Sequence, residues 1–292
     1  MAESVEVRTE QRLATPTRPR AVLAWIVLLW AGFYASFALA RPPLLDDADS
    51  VHAEVAREML LRHDYVTLYA NGIRYLEKAP LLYWSMAACL KVFSALGLTG
   101  PMARTVAVRL PLAFAVLALA LVCESFARRM FRSRRAGLYA ALILLSSFGI
   151  FIFTRITIPD AMVCLWITTA LWCFWRTEEA PAVRQTRFAA PAVRPTRFAP
   201  NDWAQSHVRI FCWAFGASCA LNVLTKGLIG VVFPVGAVAI YLVLSRGWAR
   251  AWGRVKELYP WSTVAVFLVI AAPWHMLAGL ANPTQGQPTP FR

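Results

Sequence analysis

The sequence predicts an all-α polytopic membrane protein, and three observations lead to that fold class. Of the 292 residues, 59% are hydrophobic and 16% are charged, whereas about a quarter of the residues in a soluble domain carry charge. The mean hydropathy is +0.51. Several uncharged runs approach the length of about 20 residues that a helix needs to cross a bilayer. A soluble enzyme with one core, a disulfide-stapled secreted domain and a disordered chain are therefore excluded.

Seven apolar runs are predicted to span the membrane. They cover about residues 21–40, 104–127, 136–153, 161–175, 208–225, 227–245 and 260–280. The first run ends in Ala38-Leu39-Ala40, which resembles a signal-peptidase site, so a cleaved signal peptide is the alternative to an uncleaved span. The run is longer than the apolar part of a usual signal peptide, which favours the uncleaved span.

A further apolar segment, residues 80–98, decides the topology. It opens with Pro80 and carries Lys91 near its middle, and a charge at mid-bilayer costs about 2.5–3.5 kcal/mol on the insertion scale. We therefore predict a juxtamembrane helix that does not cross, inside an outer loop of residues 41–103. If the segment did cross, the basic loops would stay inside only with the N-terminus outside.

The charge distribution predicts the orientation. There are 30 Lys and Arg residues against 16 Asp and Glu residues, a balance that would suggest nucleic acid in a soluble protein. Here the basic residues lie mainly in short loops, where they indicate the cytoplasmic side, and we expect no nucleic-acid partner. The segments predicted to be cytoplasmic are residues 1–20, 128–135, 176–207 and 246–259. The loop 154–160 and the stretch after residue 280 then lie outside, together with the loop 41–103.

Acidic residues are concentrated in the first outer loop and include the run Asp46-Asp47-Ala48-Asp49. The spacing of Val51, Val55 and Met59 predicts an amphipathic helix directly after this run. Capping of that helix explains one acid. Three acids together repel one another, so we predict that Asp47 or Asp49 serves a function.

Three further residues on the outer side are candidates for chemistry. Asp160 is an isolated acid at the end of an apolar run, and a plain ion pair with Arg155 is the alternative to a functional role. Lys78 follows an Asn71-Gly72 turn, and it is either a solvated surface residue or a point charge for a phosphate. Lys226, between two spans, is either a lipid-facing anchor or part of the same site.

Other signatures of chemistry are absent from the sequence. We find no phosphate-binding loop, no dinucleotide fingerprint, no zinc-protease motif and no nucleophile elbow. The four His residues give no metal-binding spacing, and the six Cys residues lie in apolar segments, where we predict that they pack as free thiols.

Two runs in the first outer loop carry a resemblance to a known family. They are residues 49–59, DSVHAEVAREM, and residues 71–84, NGIRYLEKAPLLYW. Together with Leu224-Thr225-Lys226-Gly227 and Ala272-Pro273-Trp274, they resemble family 39 glycosyltransferases. These include protein O-mannosyltransferases and bacterial lipid A aminoarabinose transferases, and they adopt the GT-C fold. The resemblance covers about residues 21–283.

The resemblance implies transfer of a sugar from a polyprenyl-phosphate carrier to a lipid, glycan or protein hydroxyl on the outer side of the plasma (inner) membrane. It implies that a first-loop acid, Asp49 or Asp47, is the general base and that a second acid, by position Asp160, assists it. Lys78, with Tyr75 and Glu77, would face the donor phosphate, and Arg155 and Lys226 complete the predicted substrate-binding set. No cofactor is firmly implied, although a divalent cation would be compatible with this chemistry.

Two departures from the family keep alternatives open. The family often has Asp-Glu followed by an aromatic residue three positions later, whereas this chain has Ala48-Asp49 and His52, so Asp47 and Asp49 stay equal candidates for the base. Family members continue beyond the Pro-Trp span with further spans, whereas this chain ends after the tail 284–292, so an inactive truncated fragment is one alternative. A transporter is another, and the gathering of charges at one face disfavours it.

Overall fold

The structure is a computed structural model that describes residues 19–40, 44, 48–179 and 201–283, without the side chains of residues 19, 48 and 201–204. Asp47, residues 1–18, the tail 284–292 and most of the predicted linker 176–207 lie outside the described residues. Twelve α-helices and one antiparallel hairpin make up the regular structure of the described ranges. They are α1 (Pro19–Trp30), α2 (Ser36–Leu39), α3 (Ala48–Arg62), β1 (Tyr69–Ala70), β2 (Ile73–Arg74), α4 (Leu81–Ala95), α5 (Pro101–Met130), α6 (Arg134–Ser146), α7 (Phe148–Phe153), α8 (Asp160–Glu179), α9 (Asn201–Lys226), α10 (Ile229–Arg246), α11 (Trp248–Glu257) and α12 (Pro260–Ala281).

The first helix is part of the bundle. A π-helical turn, Ala31–Ala35, joins α1 to α2. The Trp30 indole Nε1 donates to the Ala113 carbonyl at 2.7 Å, and the Tyr34 hydroxyl donates to the Leu145 carbonyl at 2.8 Å. Both polar groups thus bond to carbonyls of other helices, which fixes the first span against α5 and α6.

Five of the described helices are long and apolar enough to cross a membrane, which confirms the polytopic class. They are α1 continued through α2, α5, α9, α10 and α12. Two of the seven predicted spans are not in this set. The run 136–153 breaks at Ser147, whose backbone is extended, into the short helices α6 and α7. The helix α8 has 20 residues but carries charged residues in its first and last turns.

The helix α4 agrees with the prediction for the segment 80–98. It has 15 residues, which corresponds to roughly 22 Å and is shorter than the hydrocarbon core of a bilayer. Its buried residues Tyr83 and Met86 belong to the main apolar core, with Val55 and Met59 of α3. The predicted amphipathic helix is therefore confirmed as α3, and its apolar face packs on the bundle.

The main core is centred on α5, which contacts α1, α2, α4, α6 and α8. A second group of helices is formed by α8, α9 and α12. There α9 and α12 approach closely at Gly216, where a Cβ atom would lie 2.6 Å from the Thr263 carbonyl oxygen. Small residues allow such approaches between membrane helices.

The ends of the helices form two polar regions. The hairpin end contains β1 and β2, the loop 154–159, the start of α8, the α9–α10 turn and the end of α12, which are joined by Asp160–Lys226 and Trp274–Val66 contacts. The basic end contains the last turns of α5, α8 and α10 together with α11, which are joined by ion pairs of Glu178 and Glu179. This division matches the two sets of loops that the sequence places on opposite sides of the membrane.

Candidate active site

The hairpin places the Tyr75–Lys78 segment at the surface. Asn71 and Gly72 both have positive φ, 52° and 79°, which a two-residue hairpin turn requires and which confirms the predicted turn. The Tyr75 amide then donates to the Leu68 carbonyl at 2.7 Å and closes the base of the hairpin.

A buried carboxylate holds the hairpin on α3. Glu58 Oε1 accepts from the Gly72 amide at 2.7 Å, and Oε2 accepts from Arg62 Nε at 2.7 Å. Burial raises the pKa of Glu58, but the hydrogen bonds from Arg62 and Gly72 outweigh it, so the pKa lies below its usual value. Glu58 is only 6% exposed, because the turn of the hairpin covers it.

The end of α12 fixes the loop before the hairpin. The Trp274 indole Nε1 donates to the Val66 carbonyl at 3.1 Å, and Asn282 Nδ2 donates to Thr67 Oγ1 at 3.1 Å. Asp64 Oδ1 accepts from the amides of both Val66 and Thr67, which stabilises the turn itself. The first loop is therefore tied to the last described span.

Asp49 and His52, one turn apart on α3, hold both polar groups of the Thr157 backbone. The Thr157 amide donates to Asp49 Oδ1 at 2.5 Å, and His52 Nδ1 donates to the Thr157 carbonyl at 2.6 Å. A carbonyl can only accept, so the proton is on Nδ1. This Thr157 clamp joins segments 108 residues apart, and Asp49, only 1% exposed, does more than a helix cap requires.

An aromatic cluster continues from His52 to the Tyr75–Lys78 segment. The His52 and Tyr83 rings meet edge to face with their centres 5.5 Å apart, and Tyr83 meets Tyr75 in the same way at 6.4 Å. Tyr83 is also hydrogen bonded to Tyr75. Burial, followed by Tyr75 and the charge of Glu77, raises the pKa of Tyr83, so its hydroxyl stays protonated.

Two guanidinium groups lie on the ring of Phe37. The Arg109 and Arg155 carbons are 4.8 and 4.1 Å from its centre, and Arg155 is also 4.0 Å from the centre of the Phe151 ring. Arg155 donates to the Phe33 carbonyl at 2.6 Å. Buried Arg109, in the first third of α5, interacts electrostatically with Asp49.

Asp160 pairs with Lys226, and not with Arg155 as the ion-pair alternative required. Lys226 Nζ lies 2.6 Å from Asp160 Oδ1, and the two side chains are 40% and 36% exposed. Asp160 begins α8 and Lys226 ends α9, so each charge lies at the helix terminus that favours it. Arg155 instead contacts the end of the first span, and Lys226 is more than a lipid-facing anchor.

The predicted donor-binding residues are accessible. Lys78 and Glu77 are exposed and Tyr75 is half-buried. Pro80 begins the turn into α4, which fixes the direction of the segment at its far side. Among the described residues, no hydrogen bond or ion pair holds the Lys78 ammonium group.

The structure therefore brings most of the predicted site residues to one end of the bundle. Sequence analysis missed His52, Tyr83 and Arg109 as partners in this region. Arg109 had a signal, because an ionisable residue within a span is a candidate for function. Within the ranges described, no three His, Cys, Asp or Glu residues are grouped as metal ligands, and the six Cys are free thiols as predicted.

Comparison with known proteins identifies the family. The family model described as dolichyl-phosphate-mannose-protein mannosyltransferase matches residues 53–283. The chain belongs to this family. This match confirms the resemblance to the family that the two runs in the first outer loop carry.

Relatives of known name and structure agree with this assignment. The chain is 27% identical, over 89% of its length, to the undecaprenyl phosphate-alpha-4-amino-4-deoxy-L-arabinose arabinosyl transferase of Aeromonas salmonicida, of which it covers 41%. It is similar to the crystal structure of apo ArnT from Cupriavidus metallidurans with a TM-score of 0.69 and 25% identity, covering 89% of this chain and 42% of ArnT. The structure of ArnT bound to undecaprenyl phosphate shares the fold, with a TM-score of 0.69 and 24% identity, covering 90% of this chain and 41% of ArnT. The chain thus spans about two fifths of the length of these relatives.

Proposed function

We propose that the chain acts in a glycosyltransferase that uses a polyprenyl-phosphate sugar, with its site at the hairpin end. The observation that carries this proposal is the exposed Lys78, which a fixed hairpin presents at the same end of the bundle as the accessible Asp160–Lys226 pair. A phosphate-binding cation and a carboxylate are the two groups that this transfer needs. The Aeromonas relative, named for a donor of this class, supports the same reaction.

The reaction needs one proton transfer and one displacement. The acceptor hydroxyl gives its proton to a carboxylate, its oxygen attacks the anomeric carbon, and the bond from that carbon to the phosphate oxygen breaks. The polyprenyl phosphate leaves with an added negative charge, which the Lys78 ammonium group stabilises. Arg155, held on its aromatic rings, adds positive charge to the same end.

The two described acids, Asp160 and Asp49, have different roles in this proposal. Asp160 is accessible, and Lys226 fixes the position of one of its carboxylate oxygens, so the carboxylate is placed to accept a proton from an acceptor. Asp49 is buried and bonded to the Thr157 amide, so it positions the loop that leads into Asp160. Asp47 lies outside the described residues and stays a candidate for the base. A divalent cation stays a candidate for a cofactor.

The donor is tested by binding of undecaprenyl phosphate to the purified chain. We expect Lys78→Ala to weaken binding by about tenfold, because one phosphate contact of a charge-assisted kind is lost. Lys91→Ala removes another exposed Lys charge, from the last third of α4, and should bind like the parent chain. Equal affinity of the Lys78→Ala variant and the parent for undecaprenyl phosphate would mean that Lys78 is only a solvated surface residue.

The side of the site is tested by labelling. We propose a plasma-membrane location with the hairpin end outside, in agreement with the basic residues at the other end. In a chain whose native Cys are replaced by Ser, Cys at Asn71 should react with an impermeant thiol reagent from outside intact cells, and Cys at Arg132 should not. The reverse pattern would overturn the orientation.

A further inference from the structure

The helix α11 leaves the direction of the two spans that it joins. Gly247, with φ of +75°, separates it from α10, and Tyr259, with φ of +48°, precedes α12. Both conformations break a helix. With 10 residues, or roughly 15 Å, α11 is too short to cross a bilayer and lies at the basic end.

One side of α11 packs on the bundle. Ala251 is buried and Val255 is partly buried, against Phe174 of α8 and Leu242 of α10. Next to them on the helix surface, Trp248 and Trp252 are 79% and 63% exposed. They are four residues apart and therefore lie on one face, which we call the Trp face.

A buried ion pair fixes the position of this helix. Arg254 Nε lies 2.9 Å from Glu178 Oε1, and the Arg254 guanidinium also donates to the Thr177 carbonyl at 3.0 Å. Arg246 pairs with the other oxygen of Glu178. Because these contacts hold α11 rigidly against α8 and α10, the Trp face has a fixed direction away from the protein.

Exposed basic residues accompany the Trp face at this end of the bundle. Arg250 and Lys256 of α11 are exposed, and Lys256 Nζ lies 5.8 Å from the centre of the Trp252 ring. Arg132 in the α5–α6 turn and Arg135 in the first turn of α6 are exposed at the same end. Glu257, the acid of α11, pairs with Arg254, so the charge that α11 presents outward is positive.

We infer that α11 is an interfacial helix that binds anionic phospholipids, at the end of the bundle opposite the proposed active site. The Trp face enters the boundary between headgroups and acyl chains, where Trp side chains are favoured. Arg250 and Lys256 contact the phosphates of the lipid headgroups. An anionic membrane surface attracts each such residue independently of the sugar-transfer reaction.

Quenching of Trp fluorescence tests this inference in nanodiscs of the whole chain. The discs contain phosphatidylcholine and phosphatidylglycerol in a fixed ratio, with bromine on the acyl chains of one lipid or of the other. The part of the quenching that disappears in the double variant Trp248→Phe/Trp252→Phe reports the lipid at the Trp face. We expect this part to be at least about twofold larger for brominated phosphatidylglycerol, and to fall toward the phosphatidylcholine value in high salt.

Matched variants separate lipid preference from other effects. Arg250→Gln/Lys256→Gln should remove the excess for phosphatidylglycerol and keep the phosphatidylcholine value, whereas Lys91→Gln/Arg104→Gln, exposed basic residues away from the basic end, should keep the excess. Trp25→Phe, an exposed Trp of the first span, should lose quenching by both lipids equally. Equal quenching of the Trp face by both lipids would overturn the inference. Absence of quenching, as when a second copy covers the Trp face, would overturn it as well.

Discussion

The two ends of the bundle both carry ion pairs, but the pairs differ in burial. At the basic end, Glu178 and Arg254 have side chains that are 8% and 2% exposed, and each of these two groups is bonded to more than one partner. At the hairpin end, Asp160 and Lys226 form one pair that remains open to solvent. The buried network holds the fold together, whereas the open pair leaves charges available to a ligand.

The helix dipole of α8 adds to this difference between the two ends. Glu178 lies in the last turn of α8, where the dipole disfavours a negative charge, so it depends on its two Arg partners. Asp160 lies in the first turn of the same helix, where the dipole favours its charge. The acid with buried partners is the structural one, and the accessible acid at the opposite end of the same helix is the one proposed for chemistry.

The largest effect on stability is expected at the basic end. Glu178→Ala leaves Arg254 buried without its main partner, which costs about 3–5 kcal/mol. Thermal or denaturant unfolding of the purified chain in detergent measures this loss. Glu179→Ala, which removes a more exposed acid from the same turn, serves as the control and should cost less. A loss below about 1 kcal/mol for Glu178→Ala would show that the two ends do not differ as described.

An intermediate effect is expected for Glu58, which connects α3 to the hairpin. Because its folded pKa lies below the unfolded value, its stabilisation is complete above the unfolded pKa and is lost as the pH falls through the folded pKa. Hydrogen exchange at the Gly72 amide, the donor to Glu58, should therefore lose protection in acid. Glu58→Gln should reduce this protection already at neutral pH, by about 1.5–3 kcal/mol. Unchanged protection of Gly72 in the variant would contradict the anchoring role.

The sequence predicted the local features of the hairpin end and missed its long-range partners. Asn71-Gly72 specifies its turn through backbone conformation alone, and the isolated Asp160 was found because an acid in an apolar stretch is costly. The alternative to a functional role paired Asp160 with Arg155, five residues away, because a sequence reveals only partners that are close along the chain. Lys226 is 66 residues away, and only the side-by-side packing of α8 and α9 brings it to Asp160.

The same limit applies to the Thr157 clamp and to the spans. His52 appeared only as a departure from the family pattern, since its partner is a backbone carbonyl that no sequence motif marks. The run 136–153 has the composition of a span, and the break at Ser147 depends on how α6 and α7 pack. The fold class, the buried faces of the helices and the candidate acids can therefore be predicted from the composition and periodicity of the sequence. The partner of each side chain depends on the tertiary fold.

The smallest effect on stability should accompany the largest effect on activity, at Asp160. The most direct measurement is sugar transfer from a polyprenyl-phosphate donor in membranes carrying the Asp160→Asn variant, together with its unfolding free energy. Glu54→Gln, which breaks the half-exposed pair with Arg57 on α3, is the matched control and should keep the transfer rate of the parent. We expect Asp160→Asn to lower transfer by about 100-fold or more, as loss of acid–base catalysis does, and to change stability by less than about 1 kcal/mol, as for an exposed pair. Transfer within a few-fold of the parent would contradict the account and leave Asp160–Lys226 as a surface ion pair.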